Sequence, residues 1–319
     1  MKLVKIIVSI FLINALSQTT NAQSFNTARM DSLLDILHEN DKFMGSVAVS
    51  RKGTLLYANA IGYDDIKTKR KSTVNTKYKI GSITKVFTSV LIFLAIEDQK
   101  LKLSDKLNEY FPTIKNSDRI TIDHLLSHRS GIHNFTSGSD YSKWSRKAKS
   151  RQEMVGIISG YESEFAPDSK ADYSNSNYVV LGYVLEEIYQ KKYAELVQER
   201  IVKPLGLQNT YLGSSIDISN NECYSYNFRS GKSRQNETHA SIPFAAGAMA
   251  STPIDLNKFI QHLFAGNIIS HESIEEMTTI RDSYGRGIFV TPYNQKKGYG
   301  HNGGIDGFSS FLGFIEKDS

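Results

Sequence analysis

The run VFTSVLIFLAI at residues 86–96 constrains this chain more than any other stretch. It lies within residues 82–98, which read as a strongly apolar helix starting directly after Gly81, with Ser82 placed as its N-cap. At about 1.5 Å rise per residue the run reaches little more than half of a ~30 Å bilayer core, so it is too short to span one. A helix this apolar has to be wrapped by other elements of a folded protein. The chain has the material: it is 319 residues long, 40% hydrophobic and 22% charged, with only 6 prolines. That composition excludes disordered, collagen-like and low-complexity chains, and the length suffices for a core without staples. The single cysteine, Cys223, excludes an intramolecular disulfide and any cysteine-built zinc or iron–sulfur site. The net charge of +5 is spread along the chain, so no nucleic-acid partner is expected.

Residues 1–22 read as a secretory signal. Lys2 and Lys5 supply the positive start, residues 6–16 a short apolar stretch, and Thr20-Asn21-Ala22 a small-residue cleavage site before Gln23. No cysteine sits at the cut for a lipid anchor. The expected mature protein is soluble, exported to a periplasmic or extracellular location, and free of a stable membrane anchor.

In residues 23–40, Met30, Leu33, Leu34 and Leu37 form a helical stripe. Residues 45–50 and 54–61 flank the turn Arg51-Lys52-Gly53 and read as a hairpin. From residue 101 to about 236 the pattern is mostly helical segments and polar loops. The clearest helices there are residues 174–190 and 193–202, the second ended by Pro204-Leu205-Gly206. Residues 253–264 form another helix capped by Thr252, and residues 284–290 and 309–315 return to strand character. Strands at both ends and helices between them predict an α+β fold, an antiparallel sheet flanked by helices with a helical insertion. The sheet part is expected at about 23–99 and 241–319, and the helical region at about 100–240, within one domain at 23–319.

The first candidate for chemistry is Ser82-Ile83-Thr84-Lys85 at the head of the buried helix. Three residues are about one turn, so the Lys85 amine can reach the Ser82 hydroxyl. Backbone N–H groups at a helix start stabilise a developing oxyanion, and a buried lysine has its pKa lowered toward use as a base. Alone, this pattern is better explained by a helix cap and a solvated lysine, because S-x-x-K occurs often by chance. The second is Tyr173-Ser174-Asn175 before a helix, offering a proton relay and an amide partner, or only a turn with a packed ring. The third is the glycine-dense Gly298-Tyr299-Gly300-His301-Asn302-Gly303-Gly304. It matches G-x-G-x-x-G by letter, but a strand-like run follows it where a dinucleotide site needs a helix. A strand whose backbone closely approaches a substrate explains these glycines better. His124, His128 and His133 invite a metal reading, since a helix would put the first two on one face. No H-E-x-x-H pattern accompanies them, and structural histidines are expected instead. No cofactor or metal is expected. No G-x-S-x-G elbow occurs.

In this order and spacing, the three triplets together resemble the penicillin-recognising serine hydrolases: class C β-lactamases, serine D-Ala-D-Ala carboxypeptidases, D-aminopeptidases and related esterases. The likeness extends through IGSITKVFTSVLIFLAIEDQKLKLSDKLNEYFP (residues 80–112), ITIDHLLSHRSGI (120–132), YSNSNYVVLGYVLEEI, IVKPLGLQNTYLG and AAGAMASTPIDLNKFI. It covers residues 45–314. The resemblance implies a β-lactamase/penicillin-binding-protein-like fold with the site between sheet and helical region. It implies Ser82 as acylated nucleophile, Lys85 and Tyr173 sharing its proton, and Asn175 holding the substrate amide. His301, Asn302 and Gly303 would line the substrate, and the backbone N–H groups of Ser82 and Gly304 would form the oxyanion hole.

Two departures from the family pattern matter. His301-Asn302-Gly303 stands where β-lactamases carry Lys-Thr-Gly, and a largely neutral histidine implies weak or no β-lactam turnover. Relatives also continue past Ile315 with a strand and a closing helix. Here they are missing by Ser319, so a C-terminal truncation with open sheet edges is expected. The leading expectation is an exported serine hydrolase cutting an ester or amide, small-molecule or peptide, next to a D-residue. The alternatives are a D-Ala-D-Ala carboxypeptidase or weak β-lactamase, and a sensor-like binding module that does not turn over. Specificity would come from loops 134–149 and 214–239; Tyr141, Trp144, Tyr224, Tyr226 and Phe228 there are expected to pack rather than line a pocket.

Overall fold

A computed structural model describes residues 25–228 and 231–316. The signal-like segment lies outside the described residues. Helix α1 (Thr27–Glu39) opens the fold, with the Asn26 side chain accepting the Arg29 N–H as its cap. Strands β1 (Gly45–Arg51) and β2 (Thr54–Ile61) follow as an antiparallel hairpin, paired from Gly45↔Ile61 to Arg51↔Thr54. Lys52 and Gly53 take positive φ in its two-residue turn, the conformation that matches strand twist.

Short strand β3 (Tyr78–Lys79) leads into helix α2 (Thr84–Glu97), in which every residue from Thr84 to Ala95 is buried. Helix α3 (Ile122–Leu126), helix α4 (Arg151–Ser159) and helix α5 (Asn175–Tyr189) belong to the helical middle. Strand β4 (Tyr211–Leu212) interrupts it and pairs with β5 (Met249–Ser251), which also pairs with β3. Helix α6 (Pro253–Phe264) starts at Thr252, whose hydroxyl accepts the Asp255 N–H. The chain then forms β6 (Phe289–Val290), β7 (Gly298–Ile305) and β8 (Phe308–Ile315), an antiparallel sheet with β7 in the centre.

The packing follows from α2. Its sides are covered by α5, by the short helix Phe244–Gly247 and by α6, where Phe87 stacks on Phe259 at 3.9 Å. Helix α6 also touches β8 and, through Asn257 donating to the Ala48 carbonyl at 3.0 Å, β1. Among the described residues β1 pairs only with β2, and β8 only with β7, so two sheets each keep an open edge. Leu55 on β2 and Phe311 on β8 are exposed, as are Leu33 and Ile36 on α1. No helix among the described residues is long and apolar enough to cross a membrane.

Three of four local expectations need correction, and the other, the helix at 193–202, is met with a wider turn inside it. Strand pairing in residues 284–290 is confined to the bridge at Tyr284 and to β6, since a tight turn over Arg281–Tyr284 precedes them. The helix at 193–202 runs as Tyr193–Val197, then a wider turn at Gln198–Val202, before Lys203–Leu205 and left-handed Gly206. Helix α3 ends at Leu126 and His128 takes a left-handed φ of 58°, so His124 and His128 do not share a helical face. The fourth is Ser82, which lies in a 3-10 turn (Gly81–Ile83) ahead of α2 and does not cap it.

Candidate active site

What Ser82 does instead defines the site. Its Oγ lies 3.1 Å from Lys85 Nζ and accepts from the Tyr173 hydroxyl at 2.8 Å. The 3-10 turn carries Ser82 directly ahead of α2, and Lys85 lies in the first turn of that helix, three positions on. Lys85 is fully buried, and Nζ also donates to Asn175 Oδ1 and to the Ala246 carbonyl, both at 2.7 Å. Burial drives its pKa well below the ordinary lysine value. A neutral amine fits these contacts, donating to Asn175 and Ala246 while its lone pair receives the Ser82 proton.

Tyr173 and Asn175 arrive together at the start of α5. Burial raises the Tyr173 pKa, partly offset by the Ser82 hydroxyl and assisted by Tyr284, so the phenol keeps its proton. Asn175 has both ends of its amide occupied: Oδ1 by Lys85, and Nδ2 by Asn134 Oδ1 and Thr136 Oγ1, each at 3.2 Å. Asn134 Oδ1 also accepts the Asn175 backbone N–H at 3.0 Å. The asparagine that the resemblance assigns to the substrate therefore holds Lys85 in place in this structure. The residue types of Asn134, Thr136 and Ala246 carry no signal of this role: the first two lie in loop 134–149, and Ala246 contributes only its backbone from the AAGAMASTPIDLNKFI segment.

Strand β7 forms the opposite wall. A Cβ built on Gly81, whose φ is 52°, would come within 2.8 Å of the Gly304 nitrogen, so that amide abuts the turn carrying Ser82. Gly303 lies directly against the Ile80 carbonyl and Ser310, and Ser310 Oγ donates to that same carbonyl at 2.8 Å. Only residues without a Cβ let two backbones meet this closely. His301 is 1% exposed, with Nδ1 2.5 Å from its neighbour's carbonyl and the ring 4.2 Å from Phe289. Burial, helped by Lys85, pushes its pKa down to about 3, so the imidazole is neutral. Asn302 is exposed on the other face of the strand, as the two-residue period requires. The turn after β7 is pinned by Lys79, which is 2.8 Å from Glu237 and 3.7 Å from Asp306, while Asp306 accepts the Thr238 N–H at 2.9 Å.

The remaining histidines go to different places. His124 forms a capping box with Thr121, and His133 contacts Glu164. Among the described residues no group of three His, Cys, Asp or Glu is placed to hold a metal. Of the flagged aromatics, Tyr141 meets Trp144 edge-on at 5.3 Å, the Arg234 guanidinium lies 3.2 Å over Tyr224, and the Tyr226 hydroxyl accepts the Ile66 N–H. The ammonium of Lys232 lies 5.7 Å over the Phe228 ring. The two loops that carry these aromatics join where His239 N–H donates to the Ser145 carbonyl.

The sequence model of the family described as Beta-lactamase matches residues 37–318. A teichoic acid D-alanine hydrolase of Staphylococcus aureus (strain MRSA252) is 30% identical over 282 residues, which are 86% of this chain and 68% of that protein. D-amino acid amidase from Ochrobactrum anthropi SV3, complexed with L-phenylalanine amide, superposes with a TM-score of 0.80 at 25% identity, over 92% of this chain and 88% of that one. A D-stereospecific amidohydrolase from Streptomyces gives 0.79 at 25% identity, over 92% of each chain. With a family match across most of its length and hydrolases among its relatives, this chain belongs to the Beta-lactamase family and is a serine hydrolase of that family.

Proposed function

We propose that this protein hydrolyses an ester or amide of a D-amino acid through an acyl-enzyme on Ser82. One observation carries the chemistry: Ser82 Oγ touches both a fully buried lysine amine and a half-buried phenol. Neutral Lys85 takes the Ser82 proton as Oγ attacks the substrate carbonyl. The Ser82 and Gly304 N–H groups receive the developing oxyanion. The protonated Tyr173 gives its hydrogen to the leaving alcohol or amine. The proton then passes from the Lys85 ammonium to the tyrosinate, both within 3.1 Å of Ser82 Oγ, which resets the pair before water attacks the acyl group. Support for a D-amino acyl substrate comes from the relatives, which are named for D-alanine and D-amino acid hydrolysis. Export is part of the proposal and rests on the signal-like residues 1–22.

The test starts with the chain from Gln23. Treatment with a fluorophosphonate should add one adduct to the intact mass, mapped to Ser82 and lost in Ser82→Ala. D-Alaninamide and D-alanine p-nitrophenyl ester should then release D-alanine, with the L-enantiomers cleaved at under a tenth of the rate. An adduct without turnover of any D-substrate would replace this reading with a binding module. Absence of any adduct on a folded chain would overturn the serine nucleophile.

A further inference from the structure

We propose that His128 is the positioning residue that holds the Tyr173 phenol on Ser82. The backbone turns left-handed at His128, just beyond α3, and the residue is 1% exposed. Its carbonyl accepts the Asp172 N–H at 2.9 Å, and its Nδ1 accepts the Ser174 N–H at 3.2 Å. One residue thus binds the amides on both sides of Tyr173. Its ring lies 4.5 Å from the Tyr173 ring and is bordered by Tyr178 at 5.3 Å and Tyr284 at 5.1 Å. The tyrosine is held both along the chain and across its face.

The chemistry of the imidazole supports a role beyond filling space. Nδ1 accepts, so the ring proton sits on Nε2, and that atom is buried with no protein partner. An apolar side chain would fill the same volume without leaving a buried donor unpaired. Burial, with Lys85 and His301 adding to it, holds the pKa of His128 well below the ordinary histidine value, which keeps Nδ1 free to accept.

The inference rests on the reading of Tyr173 as proton donor, and the test separates the two. An amine leaving group needs a proton, whereas p-nitrophenolate leaves without one. The ratio of kcat/KM for D-alaninamide to that for D-alanine p-nitrophenyl ester therefore reports proton delivery, and damage to the fold lowers both rates together. Asparagine tolerates left-handed φ and carries an acceptor where Nδ1 sits, whereas leucine carries none. His128→Leu should lower the ratio by at least tenfold, and His128→Asn should keep it within threefold of wild type. A proportional loss on both substrates in His128→Leu would overturn the inference. So would a tenfold fall of the ratio in a folded His128→Asn, a result that counts even if the leucine variant does not fold. Tyr173→Phe is the reference. If it leaves the ratio unchanged, the reading of Tyr173 fails as well; if it lowers the ratio and His128→Leu does not, only the positioning role is lost. Should the D-alanyl group not be accepted, the same ratio is read on phenyl acetate against p-nitrophenyl acetate.

Discussion

Gly81→Ala tests the contact on which the oxyanion hole depends. Gly81 has φ 52°, where an alanine costs roughly 1–2 kcal/mol, and its new methyl would sit 2.8 Å from the Gly304 nitrogen and 3.2 Å from the Gly304 carbonyl carbon. Both obstacles are backbone, in a strand paired along its length with β8, so β7 has to move as a unit or stay and strain the turn. The strain alone should lower Tm by roughly 2–6 °C for a domain of this size. A shift of a few tenths of an ångström at Gly304 misaims one N–H donor, and loss of one such donor costs about 10²–10³ in kcat. Hydrolysis of D-alanine p-nitrophenyl ester, whose departure needs no proton, reads this loss without involving Tyr173. Gly156→Ala in α4 is the control: nothing lies within 4 Å of the position its Cβ would take, so it should gain about 0.5–1 kcal/mol from helix propensity and keep full activity. A folded Gly81→Ala protein with kcat within threefold of wild type would refute the assignment of Gly304 as oxyanion donor.

Other outcomes follow from the same geometry. Lys85→Met should cut kcat/KM by about 10²–10⁴ through loss of the base. Because the folded-state pKa of Lys85 is depressed, the unfolded chain binds the proton that the folded one lacks between that lowered value and the ordinary lysine range. Stability of the wild type relative to Lys85→Met should therefore rise with pH across that window, by up to about 1.4 kcal/mol per unit, as measured by urea unfolding at pH 8 to 10; a flat difference would mean that Lys85 is charged. Nitrocefin should be cleaved at under a tenth of the D-alanyl ester rate, because neutral His301 offers no cation to a β-lactam carboxylate; comparable rates would contradict that account. Leu91→Ala, at a position 1% exposed in α2, should lose about 2–5 kcal/mol in urea unfolding while the fluorophosphonate still labels Ser82 in the folded fraction.

Much of the scaffold was legible because its signals are local. The apolar density of α2, the Thr252 cap of α6 and the turn of the first hairpin each depend on residues within a few positions of one another, and the structure has them where the pattern puts them. The 3-10 turn at Ser82 was not legible, since a serine before an apolar helix looks like a cap. Its hydroxyl is taken up instead by Tyr173, which arrives from 91 positions away, while β7 packs against the same turn. Separation along the chain also hid the partners of Asn175, for nothing near residue 134, 41 positions earlier, announces that an asparagine there will take up its amide.

Lys85 shows why the triplets mean little singly and much together. A lysine amine enclosed to zero exposure is costly unless each hydrogen-bonding site finds a partner. Its three partners come from the nucleophile turn, from the start of α5 and from the carbonyl of Ala246 ahead of β5. Remove any one of those segments and the amine either takes up water, regaining its charge, or leaves a buried acceptor unpaired. The sequence shows the segments as separate, ambiguous strings because their meeting point is a single nitrogen atom. That atom can act as a base only when all of them are in place, so the assembly that buries Lys85 also switches on Ser82.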